Sequence, residues 1–144
     1  MMKQALLYGL TAAVCFGVNA IFYKLATSGK SADPYLGMLL YCFGIFAIGL
    51  LAYLFLSTRS SFNWACVGYG LAAGLIWGVG ALLVALGFSK GVPASLMVPL
   101  YSTNALITVL LGIFCLKEIP DTTGMIKLII GTVLIVIGGI IVSI

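Results

Sequence analysis

Apolar residues run along this chain in five long stretches, and charged residues fall between them. The charges are Lys3, Lys24, Lys30, Asp33, Arg59, Lys90, Lys117, Glu118, Asp121 and Lys127. They leave uncharged intervals at 4–23, 34–58, 60–89, 91–116 and 128–144. A helix needs roughly 20 mostly apolar residues to cross the hydrocarbon core of a bilayer, and each interval supplies one. The longest, 60–89, is too short for two spans and a turn, and its start (Ser60, Ser61, Asn63) reads as loop. The pattern predicts an all-α membrane protein with five transmembrane helices, over about 4–27, 34–57, 63–88, 93–116 and 122–143, joined by short loops. A transmembrane barrel would instead show alternating segments of about ten residues, and these runs do not alternate.

The turns suit helices. Asp33-Pro34 opens the second, with Asp as N-cap and Pro in the first helical position. Gly91 and Pro93 separate the third from the fourth, and Glu118-Ile119-Pro120-Asp121 separates the fourth from the fifth. No soluble domain fits in loops this short, so residues 1–144 read as one transmembrane domain. The N-terminal stretch is expected to be a helix rather than a signal peptide. Its 20 uncharged residues exceed a usual signal core, and its best cleavage-like triplet, Val18-Asn19-Ala20, is poor.

Composition removes other classes of protein. Hydrophobic residues make up 63% of the chain and charged residues 7%, against about 25% charged in an ordinary soluble domain. The expected location is the cell membrane, crossed several times, with lipid as the surroundings. The net charge of +4 is spread over loop ends, which suits anionic headgroups better than nucleic acid. Cys15, Cys42, Cys66 and Cys115 form no CxxC pair and no loop framework of disulfides. There is no histidine, and no span carries an acid. Paired carboxylates, a nucleophile with its base, and a phosphate loop are all missing. Gly78-Val79-Gly80 lies inside an apolar span and is no nucleotide fingerprint. No enzyme activity and no cofactor or metal is expected.

Polar residues inside the spans carry the remaining information. Tyr101-Ser102-Thr103-Asn104 sits near the middle of the 26 uncharged residues from Gly91 to Leu116. Tyr101, Asn104 and Thr108 share a helix face, as do Thr11, Cys15, Asn19 and Tyr23 at intervals of four. Trp77 lies in mid-span, away from the interfaces where aromatic belts form, and Tyr41 lies in the first third of the second helix. A polar group without a partner costs several kcal/mol in lipid, so these stripes must face each other, a second subunit or water. Thr and Cys can satisfy themselves on their own helix backbone. The amides of Asn19 and Asn104 have more valences than such glue fills. With flat apolar walls and a few polar anchors they have the makeup of a small-molecule site. The candidate substrate-binding residues are Asn19, Tyr23, Tyr41, Trp77, Tyr101 and Asn104. Lys24 and Lys127 lie near helix ends and can snorkel to headgroups; Lys24, next to Tyr23, is also placed to keep cations from the mouth of such a site.

Two glycine series lie on helix faces. Gly70, Gly74 and Gly78 form a small-xxx-small ridge of the kind that lets helices approach closely, expected to pack within the chain. Gly124, Gly131 and Gly138 recur every seven residues and suggest a subunit seam.

Five spans place the termini on opposite sides. The N-terminal side then holds four positives (Lys3, Arg59, Lys117, Lys127) and the other side three (Lys24, Lys30, Lys90), a difference of one. Orientation follows this bias, so a single orientation and insertion both ways remain open.

The segments FGVNAIFYKLA, GFSKGVPASLMVPLYSTNALITVLLGIFCLKEIP and GMIKLIIGTVLIVIGGIIV resemble one EamA-type unit of the drug/metabolite transporter superfamily. The resemblance spans essentially the whole chain. Its most specific part is Leu116-Lys117-Glu118, a break with Pro120, and a last helix punctuated by Gly124, Gly131 and Gly138. It implies a transporter. Most members have ten helices, in two five-helix units of opposite orientation around a central cavity. A lone unit reaches that geometry by inserting both ways and pairing antiparallel as a homodimer, or by pairing with a paralogous partner chain. The small four-helix multidrug exporters of the superfamily depend on an acid in their first helix, where this chain has Asn19. That departure speaks against proton-coupled export of cationic drugs and for a neutral or zwitterionic metabolite. The expected function is transport of a small polar metabolite by alternating access. The alternative is a non-transporting structural or accessory subunit, in which the polar stripes are only glue between helices.

Overall fold

The computed structural model of the protein describes residues 2–28, 32–57, 63–117 and 122–143. Among them there is no strand. The helices are α1 (Met2–Thr27), α2 (Pro34–Leu56), α3 (Trp64–Ser89), α4 (Ala94–Tyr101), α5 (Asn104–Phe114) and α6 (Thr122–Ser143). By length and composition the described residues hold five candidate spans, because α4 and α5 are two halves of one, Ala94–Phe114. The boundaries agree with the expected ones to within two residues, except that the fourth helix is interrupted. The expected break at 118–121 lies outside the described residues, as do Lys30 and Arg59.

The caps follow from local chemistry. The Asp33 carboxylate accepts from Tyr35 N–H at 2.9 Å, with Pro34 in the first turn. Asn63 caps α3 in the same way through Ala65 N–H. At the other end of α3, Gly91 adopts φ +89°. Its N–H donates to Phe88 O at 3.0 Å, and Val92 N–H donates to Gly87 O at 3.1 Å. These two bonds make a Schellman ending, which needs a residue that tolerates the left-handed region.

The chain forms two compact units, Met1–Val92 and Pro93–Ile144. In the first, α1, α2 and α3 all touch one another. Its buried residues are Ala20, Tyr23 and Thr27 of α1, Gly37 of α2, and Ala81, Ala85 and Phe88 of α3. All lie toward one end, where α1 and α3 finish and α2 begins. At Gly37 a Cβ would stand 2.6 Å from Ala26 O, so only glycine lets the two backbones meet there. The contacts Thr27 with Gly37, and Asn19 and Tyr23 with Tyr41, keep a nearly constant sum of residue numbers, which marks α1 and α2 as antiparallel. Away from this end the three helices diverge. Gly70, Gly74 and Gly78 continue the α3 face of Ala81, Ala85 and Phe88, but nothing lies within 4 Å of a Cβ built on any of them. The close packing expected of this ridge is therefore not found within this unit, whose helices converge only at the far end of the face. The outer faces stay apolar and exposed, as at Phe55, Leu75 and Ile76; lipid tails solvate such side chains as well as a helix would.

In the second unit, α6 packs against α4 and α5. Gly139 makes the close approach: a Cβ there would be 2.9 Å from Pro99 O and 3.0 Å from Thr103 Cγ2. Gly131 and Gly138 have open space around them. The glycine that α6 uses within the unit is thus the neighbour of the series read from the sequence.

Candidate functional site

The interruption of the fourth span accounts for half of Tyr101-Ser102-Thr103-Asn104. Pro99 lies inside α4 and brings no N–H. Two residues later the chain tightens into i→i+3 bonds: Thr103 N–H to Leu100 O, Ala105 N–H to Ser102 O and Leu106 N–H to Thr103 O. The hydroxyls of Ser102 and Thr103 turn back onto Val98 O at 2.8 Å and Leu100 O at 2.7 Å. These two side chains serve the backbone of the kink, a local use of Ser and Thr, and Gly139 packs against it. Thr11, Thr27, Thr108 and Thr132 likewise donate to carbonyls four residues earlier, as expected of threonines in spans.

Tyr101 ends α4 and is 39% exposed. Asn104 begins α5; its side chain is exposed, and its carbonyl accepts from Thr108 Oγ1. The apolar groove of this unit, about 290 Å³, lies elsewhere, between Leu106, Leu110 and Phe114 of α5 and Met125, Ile129 and Thr132 of α6.

The first unit brings three of the six candidate residues together. Tyr23 is 6% exposed. Its hydroxyl donates to Ala81 O at 2.9 Å and ties α1 to α3. Its ring lies 4.5 Å from that of Tyr41, tilted by 32°, and meets Phe88 edge-on at 6.2 Å. Asn19, one turn before Tyr23, donates from Nδ2 to the Tyr41 hydroxyl at 3.4 Å. Asn19 and Tyr41 are half-buried. Tyr23 is the floor of this cluster, and Asn19 and Tyr41 are its open edge. The stripe Thr11-Cys15-Asn19-Tyr23 enters it only at its end. Four residues advance a helix by about 40° beyond a full turn, so Thr11 and Cys15 rotate out and are exposed.

Trp77 shares the α3 face of Ala81, Ala85 and Phe88, one turn before Ala81, and is 54% exposed. Two chain reversals make α1 and α3 parallel, so Trp77 and Asn19 both stand about 6 Å before the Tyr23–Ala81 bond along their axes. Thr27, Gly37 and Phe88, which seal the end of the unit, carried no sequence signal of their own. Among the described residues, no group of three or more His, Cys, Asp or Glu side chains comes together. No charge lies within the cluster either: the described charged residues of this unit, Lys3, Lys24, Asp33 and Lys90, lie at helix ends.

Apolar helices of spanning length, with hydroxyl, amide and aromatic groups gathered where α1, α2 and α3 converge, define a multi-pass membrane protein built around uncharged polar contacts. The comparison with known families is specific. Residues 3–144 match the EamA-like transporter family, and the chain belongs to that family, a membrane transporter family within the drug/metabolite transporter superfamily. An uncharacterized protein of Methanocaldococcus jannaschii is 32% identical over 139 residues, which cover 93% of this chain and 97% of that one. No solved structure matches.

Proposed function

We propose that the chain transports a small neutral or zwitterionic metabolite across the cell membrane, as a homodimer of two oppositely inserted copies, by alternating access. The observation that carries this is the cluster of Asn19, Tyr23 and Tyr41, set within spanning helices, half-open and free of charge. Trp77 stands at the same level of α3. Tyr101 and Asn104 of the second unit are further candidate residues, Asn104 with its side chain exposed. Inverted repeats around a midplane site are a common basis of alternating access. One family unit spans this chain, and five spans invert any unit that follows. Two copies inserted in opposite senses reproduce the geometry of a ten-helix protein, and four loop positives against three barely bias insertion either way.

Topology tests the arrangement. Single cysteines placed at residues 2 and 144 of a cysteine-free version are labelled from each side of intact cells. Labelling of each site from both sides is the expected result. Labelling from one side only ends the antiparallel homodimer and points to a partner chain of opposite orientation.

A further inference from the structure

The hydrogen-bonding capacity of Asn19 and Tyr41 is only partly used. A carboxamide has two N–H donors and an acceptor oxygen; a phenol has one donor and one acceptor. The Nδ2-to-hydroxyl contact of 3.4 Å, at the long limit for such a bond, is the one side-chain hydrogen bond either residue makes among the described residues. The second Nδ2–H, the Oδ1 oxygen and the Tyr41 O–H remain. Thr11, Thr27, Ser102, Thr103, Thr108 and Thr132 close onto their own helices. The side chains of Asn19 and Tyr41 do not; both are half-buried, and the Tyr41 ring lies 4.5 Å from that of Tyr23, tilted by 32°.

From these remaining groups we infer that the first unit binds an uncharged planar molecule carrying a carboxamide. The ligand N–H meets Asn19 Oδ1, and its C=O accepts from Asn19 Nδ2–H and Tyr41 O–H, beside the tyrosine rings. The proposal deepens the transporter reading and rests on it. Charge is excluded by what surrounds the cluster. Lys24 is the nearest described charge along α1, and five residues turn it about 140° away from Asn19. Asp33 and Lys90 lie beyond the sealed end. Among the described residues of this unit, an ion at this level has no partner for its charge, and lipid-embedded sites do not tolerate that.

Isothermal titration of the full-length protein in detergent micelles decides the matter with three probes of one ring size: nicotinamide, which is uncharged; nicotinate, an anion; and 1-methylnicotinamide, a cation that keeps the amide. Saturable binding of nicotinamide, at least about tenfold tighter than either charged probe, is expected. Tyr41→Phe, which keeps the ring, and Asn19→Leu each weaken it by about tenfold, the equivalent of a hydrogen bond or two. Thr11→Val, exposed and bonded only to its own helix, leaves it unchanged. Absence of saturable nicotinamide binding overturns the inference, as does equal or tighter binding of a charged probe. So does unchanged binding in both cluster variants, including the case where they shift the monomer–dimer equilibrium instead; the free valences then serve a second copy. Counterflow in proteoliposomes separates this inference from the reading beneath it. Nicotinamide binding without flux keeps the ligand class and sinks the transporter; nicotinate flux without nicotinamide binding does the reverse.

Discussion

Gly37 is where α1 and α2 come closest, and Gly37→Ala perturbs the first unit most directly. The added Cβ would stand 2.6 Å from Ala26 O and 3.0 Å from Thr27 Cγ2, where real Cβ atoms essentially never come within 3.0 Å. The Ala26 oxygen belongs to the backbone and cannot swing aside. Thr27 is pinned by its own bond to Tyr23 O at 2.7 Å. The helices must separate by at least about 0.4 Å, an overpacking that costs about 1–3 kcal/mol. Against this, Gly→Ala in a helix gains about 1 kcal/mol of propensity. Gly44→Ala isolates that gain, since nothing lies within 4 Å of a Cβ there on the same helix. The quantity to measure is the difference between the two variants by thermal or detergent-induced unfolding: Gly37→Ala is less stable than Gly44→Ala by about 1–3 kcal/mol. A second effect follows one turn along α2. The Asn19–Tyr41 bond is already 3.4 Å, so the same displacement carries it past hydrogen-bonding distance. Equal stability of the two alanine variants would refute the tight α1–α2 seal and the coupling of Gly37 to the cluster above it.

Two further outcomes test the packing. Tyr23→Phe keeps the ring contacts with Tyr41 and Phe88 and loses only the bond to Ala81 O, so it costs about 0.5–1.5 kcal/mol. Tyr23→Ala also opens a buried hole and costs about 3–5 kcal/mol; equal losses in unfolding experiments on the two variants would mean that the ring does not pack as described. In the second unit, Gly139→Ala crowds Pro99 O by only about 0.1 Å below the 3.0 Å limit. It destabilises by about 1 kcal/mol at most, toward the low end for overpacking, whereas Gly131→Ala and Gly138→Ala are neutral or stabilising in the monomer. A loss of dimer, read by sedimentation, on Gly138→Ala but not on Gly139→Ala would assign the exposed glycine series to a seam between copies.

The cluster gives the first unit a closed end and an open one. Tyr23 bonds to the α3 backbone and stacks beneath Tyr41, so it positions the groups above it, while Asn19 and Tyr41 keep free valences. A residue pair that is polar, uncharged and incompletely bonded is costly in lipid. Its presence beside a well-sealed helix contact is the physical reason to read a ligand there rather than glue.

The amino-acid sequence by itself determined the spans, most of their ends and the family. Insertion into a bilayer depends on the summed apolarity of about 20 consecutive residues, which is local, and Asp33-Pro34 and Gly91 act on adjacent backbone. It also singled out Asn19, Tyr23 and Tyr41, because polar groups in a span must find partners. Only the tertiary structure decided which partners. The stripe from Thr11 to Tyr23 shares a face on paper, yet its rotation of about 40° every four residues lets Asn19 and Tyr23 alone reach the other helices. Gly37 and Gly139, not the periodic glycines, carry the close contacts, and Ser102 and Thr103 satisfy a kink instead of facing a site. In lipid, a neighbouring helix and an acyl chain are nearly equivalent solvents for an apolar face. The hydrophobic pattern therefore marks what crosses the membrane and leaves the meeting points of the helices to their register and crossing, which are settled only when the chain is folded.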